Sequence, residues 1–261
     1  LGFILTQTDI FGLFDNIYIA ALYSKGLPEE EIIEDNILLK RFRLSSKKLS
    51  KGFLGQIVKY IELLLKLYKF YKIKDISVIN IHHLALLPIG YILKIRFKTK
   101  LIYDAHELET ETNGLSRSKF RKYLAKILER IFIYKCDNII VVSESIAEHY
   151  KKKYNIKKPL VILNLPKYCS ISKKDLFRET FDIKQKSIIF LYQGALSKGR
   201  GIELILETFK SLQNIEYVVV FMGYGEFEEK IIEYSKESKN IFFQKAVSPN
   251  VVLEYTSSAD I

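Results

Sequence analysis

The sequence predicts an α/β protein made of two Rossmann-like units in tandem, the second incomplete. Three observations carry this prediction. From about Asn16 onward, short apolar runs alternate with longer segments of helical period, the pattern of a mainly parallel sheet with crossover helices. A polar, irregular stretch, NLPKYCSISKKDLFRETFDIKQK, then interrupts the series and reads as a crossing between units. A second, shorter series of the same kind follows it. The expected domains are residues 1–165 and 166–261.

Taken in order, the first series offers strands at Ile17–Leu22, Ile37–Phe42, Ile76–Ile81, Lys100–Tyr103, Asn138–Val142 and Leu160–Leu163. Each is a short run rich in Ile, Leu, Val or Tyr, bounded by polar residues. Helical periods fall around 53–73, 84–97, 116–135 and 144–153. The second series reads as strand Ser187–Tyr192, helix 201–212, strand Glu216–Met222, helix 226–236, strand Asn240–Phe243 and a short helix at 249–256. The final TSSADI reads as the start of another strand. At the front, Phe3–Thr6 is a possible strand, but too few residues separate it from Ile17 for an ordinary first helix. The opening Leu1 and the unfinished second series make both ends read as cut.

Composition narrows the function classes. Of 261 residues, 48% are hydrophobic and 27% charged, which excludes a disordered chain. No apolar run reaches the roughly 18 residues of a membrane span. Two cysteines, Cys136 and Cys169, are too few for a disulfide framework, so the expected compartment is the cytoplasm. The net charge of +11 fits an anionic partner as well as it fits a plain bias toward lysine. Nucleic acid is not expected as that partner, because the tyrosines and phenylalanines follow core periodicity and do not make stacking surfaces.

Two helices are basic and amphipathic. In FLGQIVKYIELLLKLYKFYKIK, Lys59, Glu62, Lys66 and Lys69 fall on one stripe, with Ile57, Ile61, Leu64, Leu65 and Tyr68 opposite. LSRSKFRKYLAKILERIFIYK is similar. One face of each is expected to pack on the sheet, and the exposed lysines and aromatics suit an anionic lipid surface, such as the inner face of the plasma membrane.

Ligands of open α/β sheets sit beyond the carboxyl ends of the strands, where four loops carry unusual residues: IHHLALLP, YDAHELETE, QGALSKGRG and MGYGEFEE. In LYQGALSKGRGIELI, Gly194 and Gly199 have P-loop spacing, but Arg200 and Gly201 replace the Lys and Ser/Thr of that motif. No hydroxyl remains for Mg²⁺. Glycines, a following helix N-terminus and the cations Lys198 and Arg200 instead suit a diphosphate held without metal. Gly223 and Gly225 form a second glycine pair on the same sheet edge. His106 follows a strand directly, between Asp104 and Glu107, and can donate or accept near neutral pH. His82 and His83 end a neighbouring strand, within conceivable reach of a zinc site with His106. No known ligand spacing matches, and no metal is expected. Ser143 and Ser145 in VVSESI lack the G-x-S-x-G elbow of a serine nucleophile.

With those loops in order, the chain resembles the family 4 glycosyltransferases, retaining enzymes of the GT-B fold. The resemblance rests on VINIHHLALLPIG, LIYDAHELETE, CDNIIVVSESIAEHY, VILNLP, LYQGALSKGRGIELILETF, VVFMGYGEFEEKI and VSPNVVLEYTSSADI, which cover most of the chain from about residue 76. It implies two Rossmann-like domains facing across a cleft, the acceptor on the N-terminal side and a UDP- or GDP-linked sugar on the C-terminal side. Members commonly build envelope polysaccharides on glycan or lipid-linked acceptors, with no cofactor beyond the nucleotide-sugar co-substrate. The resemblance gives Gly194, Lys198, Gly199, Arg200, Gly223 and Gly225 to the donor. It gives His106 a sugar-orienting role beside Lys198 and Arg200, and places His83, Asp104 and Glu107 on the acceptor side.

Departures from the family pattern bear on this reading. Ala195 stands where many relatives have Arg, leaving Arg200 as the substitute cation, and the E-x7-E element would fall beyond Ile261. Two alternatives stand beside it. One is a GT-B-fold sugar-nucleotide epimerase, for which Glu107 and Glu109 are weak proton-transfer groups. The other is a non-catalytic basic module that binds membrane.

Overall fold

A computed structural model of the chain describes residues 15–50, 52–112, 118–165, 168–212 and 216–261. The expected strand Phe3–Thr6 lies outside the described residues. The chain divides into two compact units, Leu1–Lys167 and Tyr168–Ile261.

In the first unit, β1 (Ile17–Leu22) pairs in parallel with β3 (Ile37–Phe42), from Ile17 opposite Ile37 to Leu22 opposite Phe42. Between them in sequence, β2 (Glu30–Glu34) adds to β3 antiparallel. This strand is unforeseen by the hydrophobic pattern, because EEIIE is mostly charged. Its pairing is electrostatic as well as hydrogen-bonded: Glu30 meets Lys40 at 2.7 Å and Glu31 meets the buried Arg41 at 2.7 Å.

The second sheet of this unit is parallel throughout, in the order β4 (Val78–Ile81), β5 (Lys100–Ala105), β6 (Asn138–Val141) and β7 (Leu160–Val161). Its crossovers are helical. Helix α1 (Phe53–Tyr71) precedes β4, α2 (Leu87–Phe97) joins β4 to β5, α3 (Lys119–Phe132) joins β5 to β6, and α4 (Glu144–Tyr154) joins β6 to β7. The helix expected at 84–97 opens with a 3-10 turn, Leu84–Leu86, before Pro88 begins the regular helix. Ser118 caps α3 and Ser143 caps α4, each accepting from the amide three residues on. A cap is thus the structural use of Ser143. Tyr103, Val141, Ala147 and Tyr150 form the fully buried centre of this sheet's core. Inside it, Glu129 accepts from the hydroxyls of Tyr150 and Tyr154 and from Lys153 Nζ.

Helix α1 packs Leu64, Leu67 and Tyr68 on the core as expected, but its polar stripe departs from expectation. Its polar stripe binds the protein: the Glu62 carboxylate accepts from the amides of Ser45 and Ser46, and Lys59 and Lys66 donate to carbonyls of Arg43, Leu49 and Ser50. The Ser46 hydroxyl and these amides hold the Glu62 carboxyl down at about 2. Leu54, Ile57, Ile61 and Leu65, by contrast, are exposed.

The second unit is one parallel sheet in the order β10 (Ile241–Lys245), β9 (Tyr217–Tyr224), β8 (Ile188–Ala195). The central strand β9 is buried from Val218 to Gly223, as a doubly covered strand must be. Crossovers α6 (Ile202–Leu212) and α7 (Glu228–Glu237) cover one face, and Leu206, Phe221 and Ile231 are buried among them. The stretch expected to be irregular contains helix α5 (Leu176–Phe181), pinned by buried Phe177 and Arg178. Arg178 bonds the Ser187 carbonyl at 2.7 Å and Asp260 at 2.8 Å. After α8 (Val252–Ser257), the strand expected at TSSADI does not form as a regular element. Ile261 nonetheless exchanges backbone bonds with Ile189 and Leu191.

Cys136 is packed beneath α3, and burial pushes its thiol up to about 12. Cys169 is exposed.

Candidate active site

In the second unit, β8 and β9 run in register to their carboxyl ends, with Gly194 opposite Gly223 and Ala195 opposite Tyr224. Side chains are excluded here. A Cβ built on Gly223 would lie 1.9 Å from the Gly194 carbonyl oxygen, so the strands close only because position 223 has none. Beyond the strands, Leu196 turns into the core and is fully buried, a burial worth about 2 kcal/mol. Its amide bonds Tyr224 O and its carbonyl accepts from Phe227 N, which ties the two glycine loops together.

From this anchor the chain loops outward through Lys198, Gly199 and Arg200 to Gly201, and α6 begins at Ile202. Gly199 and Gly201 take φ of +86° and +76°, the left-handed conformations that let the loop double back onto the helix start. The first-turn amides of α6 have no partner within the helix and carry its positive end. Lys198 and Arg200 are exposed, and among the described residues neither side chain makes an ion pair. The Lys198 amide, however, donates to Glu226 Oε1 at 2.6 Å. Sequence reasoning did not single out Glu226, which only the pairing of β8 with β9 brings to this loop.

In the first unit, β4 and β5 run in parallel with Ile81 opposite Tyr103, so the next residues, His82 and Asp104, emerge side by side. His82 Nδ1 lies 2.9 Å from His106 Nε2 and 3.3 Å from Asp104 Oδ2. His106 Nε2 lies 3.8 Å from Asp104 Oδ1, too far for a hydrogen bond. Asp104 is buried, and both imidazoles are partly exposed.

His83 is not part of this group. Its ring turns the other way, accepting from the Ala85 amide at 3.2 Å and meeting Glu109 Oε2 at 3.4 Å. Burial raises the Glu109 carboxyl above the usual range, partly offset by His83 and by the Leu84 amide. Glu107 is exposed. Of the residues expected on the acceptor side, then, Asp104 lies beside His106, while His83 and Glu107 stand apart from it; the histidine next to His106 is His82.

Both halves of the chain match known family models. Residues 16–164 match the model described as Glycosyltransferase Family 4, and residues 173–261 match Glycosyl transferases group 1. No sequence among curated proteins matches.

Solved structures share the fold at low identity. Sucrose-phosphate synthase from Thermosynechococcus elongatus superposes with a TM-score of 0.69 at 12% identity, covering 98% of this chain and 67% of that one. Anabaena HepE in complex with UDP-glucose gives 0.59 at 14% identity, covering 94% and 72%. The lipopolysaccharide outer core galactosyltransferase WaaB gives 0.58 at 14% identity, covering 94% and 72%. These are GT-B glycosyltransferases, in keeping with the Rossmann-like α/β units described above. With its first unit matched almost from end to end, the chain belongs to Glycosyltransferase Family 4 and is a glycosyltransferase.

Proposed function

We propose that the chain moves a sugar from a UDP- or GDP-linked donor to a glycan or lipid-linked acceptor of the cell envelope, with retention of configuration and no essential metal. One observation carries this reading. Two exposed cations, Lys198 and Arg200, with no ion pair among the described residues, flank Gly199 where β8 gives way to the N-terminus of α6. A departing nucleoside diphosphate gains negative charge as the glycosidic bond breaks, and fixed cations with a helix end stabilise that charge as it grows. Anabaena HepE, of the same fold, is seen with UDP-glucose bound, which supports a nucleotide-sugar donor.

In this reading the second unit holds the donor and the first the acceptor. The new bond forms between the acceptor oxygen and the anomeric carbon as the bond to the diphosphate breaks. Attack from the face the diphosphate leaves sets the acceptor hydroxyl beside the departing oxygen, which takes its proton. His106 orients the transferred sugar and stabilises its oxocarbenium-like state.

The reading extends to a membrane surface. The exposed apolar row of α1 and exposed Phe120 and Tyr123 of α3, next to Lys119 and Arg121, suit the headgroup boundary of an anionic bilayer. No helix of the described residues is long and apolar enough to cross a membrane. Co-sedimentation with vesicles containing phosphatidylglycerol, lost in Leu54→Asp and Ile61→Asp, is the expected result.

The donor assignment is tested by thermal unfolding with UDP and GDP. A ligand that binds only the folded chain raises the midpoint. The wild type is expected to be stabilised by one of the two nucleotides, and Lys198→Ala and Arg200→Ala to lose that stabilisation. Unchanged nucleotide stabilisation in both variants would sink the assignment.

A further inference from the structure

We propose that His82, Asp104 and His106 form a binding site for a first-row divalent cation of the Zn²⁺ or Co²⁺ class. Each residue offers one ligand atom, and these atoms lie within 4.8 Å of one another. The two ring nitrogens are 2.9 Å apart, and the carboxylate oxygens lie 3.3 Å from one and 3.8 Å from the other. Cations of this class bind nitrogen and oxygen at about 2.0–2.2 Å, so ligand atoms about 3 to 3.5 Å apart converge on one ion. The two carboxylate distances belong to different oxygens, so Asp104 would turn about its side chain to bring one oxygen within reach of both rings.

A second observation points independently to a ligand. Asp104 is buried, with 6% of its side chain exposed, and its Oδ1 has no hydrogen-bond partner among the described residues. A buried carboxylate oxygen without a donor is costly, and native structures rarely leave one so. A cation between the carboxylate and the two rings removes that cost.

The donor set also limits the choice of ion. Two imidazoles and one carboxylate favour Zn²⁺, Co²⁺, Ni²⁺ or Fe²⁺ over Mg²⁺ and Ca²⁺, which take oxygen ligands. The partial exposure of both rings leaves the remaining coordination positions open to water. The rings would bind through His82 Nδ1 and His106 Nε2, each keeping its hydrogen on the other nitrogen. The three residues belong to the first unit and the loop of Lys198 and Arg200 to the second, and the existence of the cation site does not depend on the proposed function. Only one consequence rests on that reading: a bound cation would withdraw His106 Nε2 from the transferred sugar.

The test is Co²⁺ titration into the metal-free full chain, read by visible d–d absorption, with Zn²⁺ displacing it. One cation per chain is expected, with affinity reduced more than about 100-fold in His82→Ala and in Asp104→Ala. His83→Ala, His149→Ala and Cys169→Ser should bind as the wild type does. Should the variants fail to fold, the wild type alone decides. Zn²⁺ should protect His82 and His106, but not His83 or His149, from diethylpyrocarbonate, as read by mass spectrometry. The absence of a stoichiometric Co²⁺ complex, or equal modification of all four histidines with and without Zn²⁺, would overturn the site. Neither readout involves nucleotide or sugar transfer, so failure here leaves the donor assignment standing.

Discussion

The backbone amide of Lys198 donates to Glu226 Oε1 across 2.6 Å, tying the basic loop after β8 to the glycine loop after β9. The bond puts a carboxylate against the loop proposed to receive a diphosphate. It organises the loop, and the carboxylate's charge would oppose a diphosphate there. Glu226→Gln keeps an acceptor oxygen and removes the charge. Affinity for UDP or GDP, measured by calorimetry, is expected to rise about two- to fivefold, the effect of one screened surface charge. Weaker binding would show that the charge itself holds the loop in its working shape.

The contact between Gly223 and Gly194 makes a sharper prediction. A methyl group at position 223 would have to occupy space 1.9 Å from a carbonyl oxygen of the neighbouring strand, and a backbone cannot swing aside as a side chain does. Gly223→Ala should cost about 3 kcal/mol in urea unfolding of the second unit. Gly201→Ala meets open space but must hold φ at +76°, so its smaller cost, about 1 kcal/mol, reflects backbone strain alone.

Asp260 gives the second unit an acid-sensitive fastening. Burial by itself would raise its carboxyl. Lys173, the Ile189 amide and Arg178 outweigh burial and bring it down from 3.8 to about 2. With the folded value below the unfolded one, the stabilisation is complete above about pH 4 and is lost as pH falls toward 2. Asp260→Asn should therefore be less stable than wild type at pH 7, by about 1–3 kcal/mol. The gap should close between pH 4 and 2 in a series of urea titrations. A gap that stays constant over that range would exclude the ionised carboxylate as its source.

How much could be read from the sequence differs from element to element for physical reasons. Ile17–Leu22 and Ile37–Phe42 were legible to the residue, because each opens on an apolar run directly after an Asn, Asn16 and Asn36. Strand β2 was not, since Glu30 and Glu31 are acceptable in a strand only once Lys40 and Arg41 stand opposite. Helix α5 was hidden in a polar stretch because two buried residues, Phe177 and Arg178, suffice to hold it. The α1 periodicity is legible, but its apolar side divides: Leu64 and Tyr68 pack on the core while Ile57, Ile61 and Leu65 are exposed. Periodicity separates two faces but does not say which of them meets the protein, and here Ser45 and Ser46 claim the charged one.

The candidate site follows the same rule. The tight turn after β8 is legible through its glycine spacing, with Gly199 and Gly201 in left-handed conformations. The grouping of His82 with Asp104 and His106 depends on the parallel register of β4 and β5, which two adjacent histidines in a sequence cannot reveal.

The two cysteines, Cys136 half-buried and Cys169 exposed, make the protein a one-position optical gauge. Cys136 is sheltered, with a thiol that stays protonated at neutral pH, whereas Cys169 is open to solvent. A maleimide fluorophore would therefore attach at one place without any engineering, one residue past Tyr168, where the second unit begins. A change in its emission on adding a nucleotide sugar would report a change at Cys169 itself.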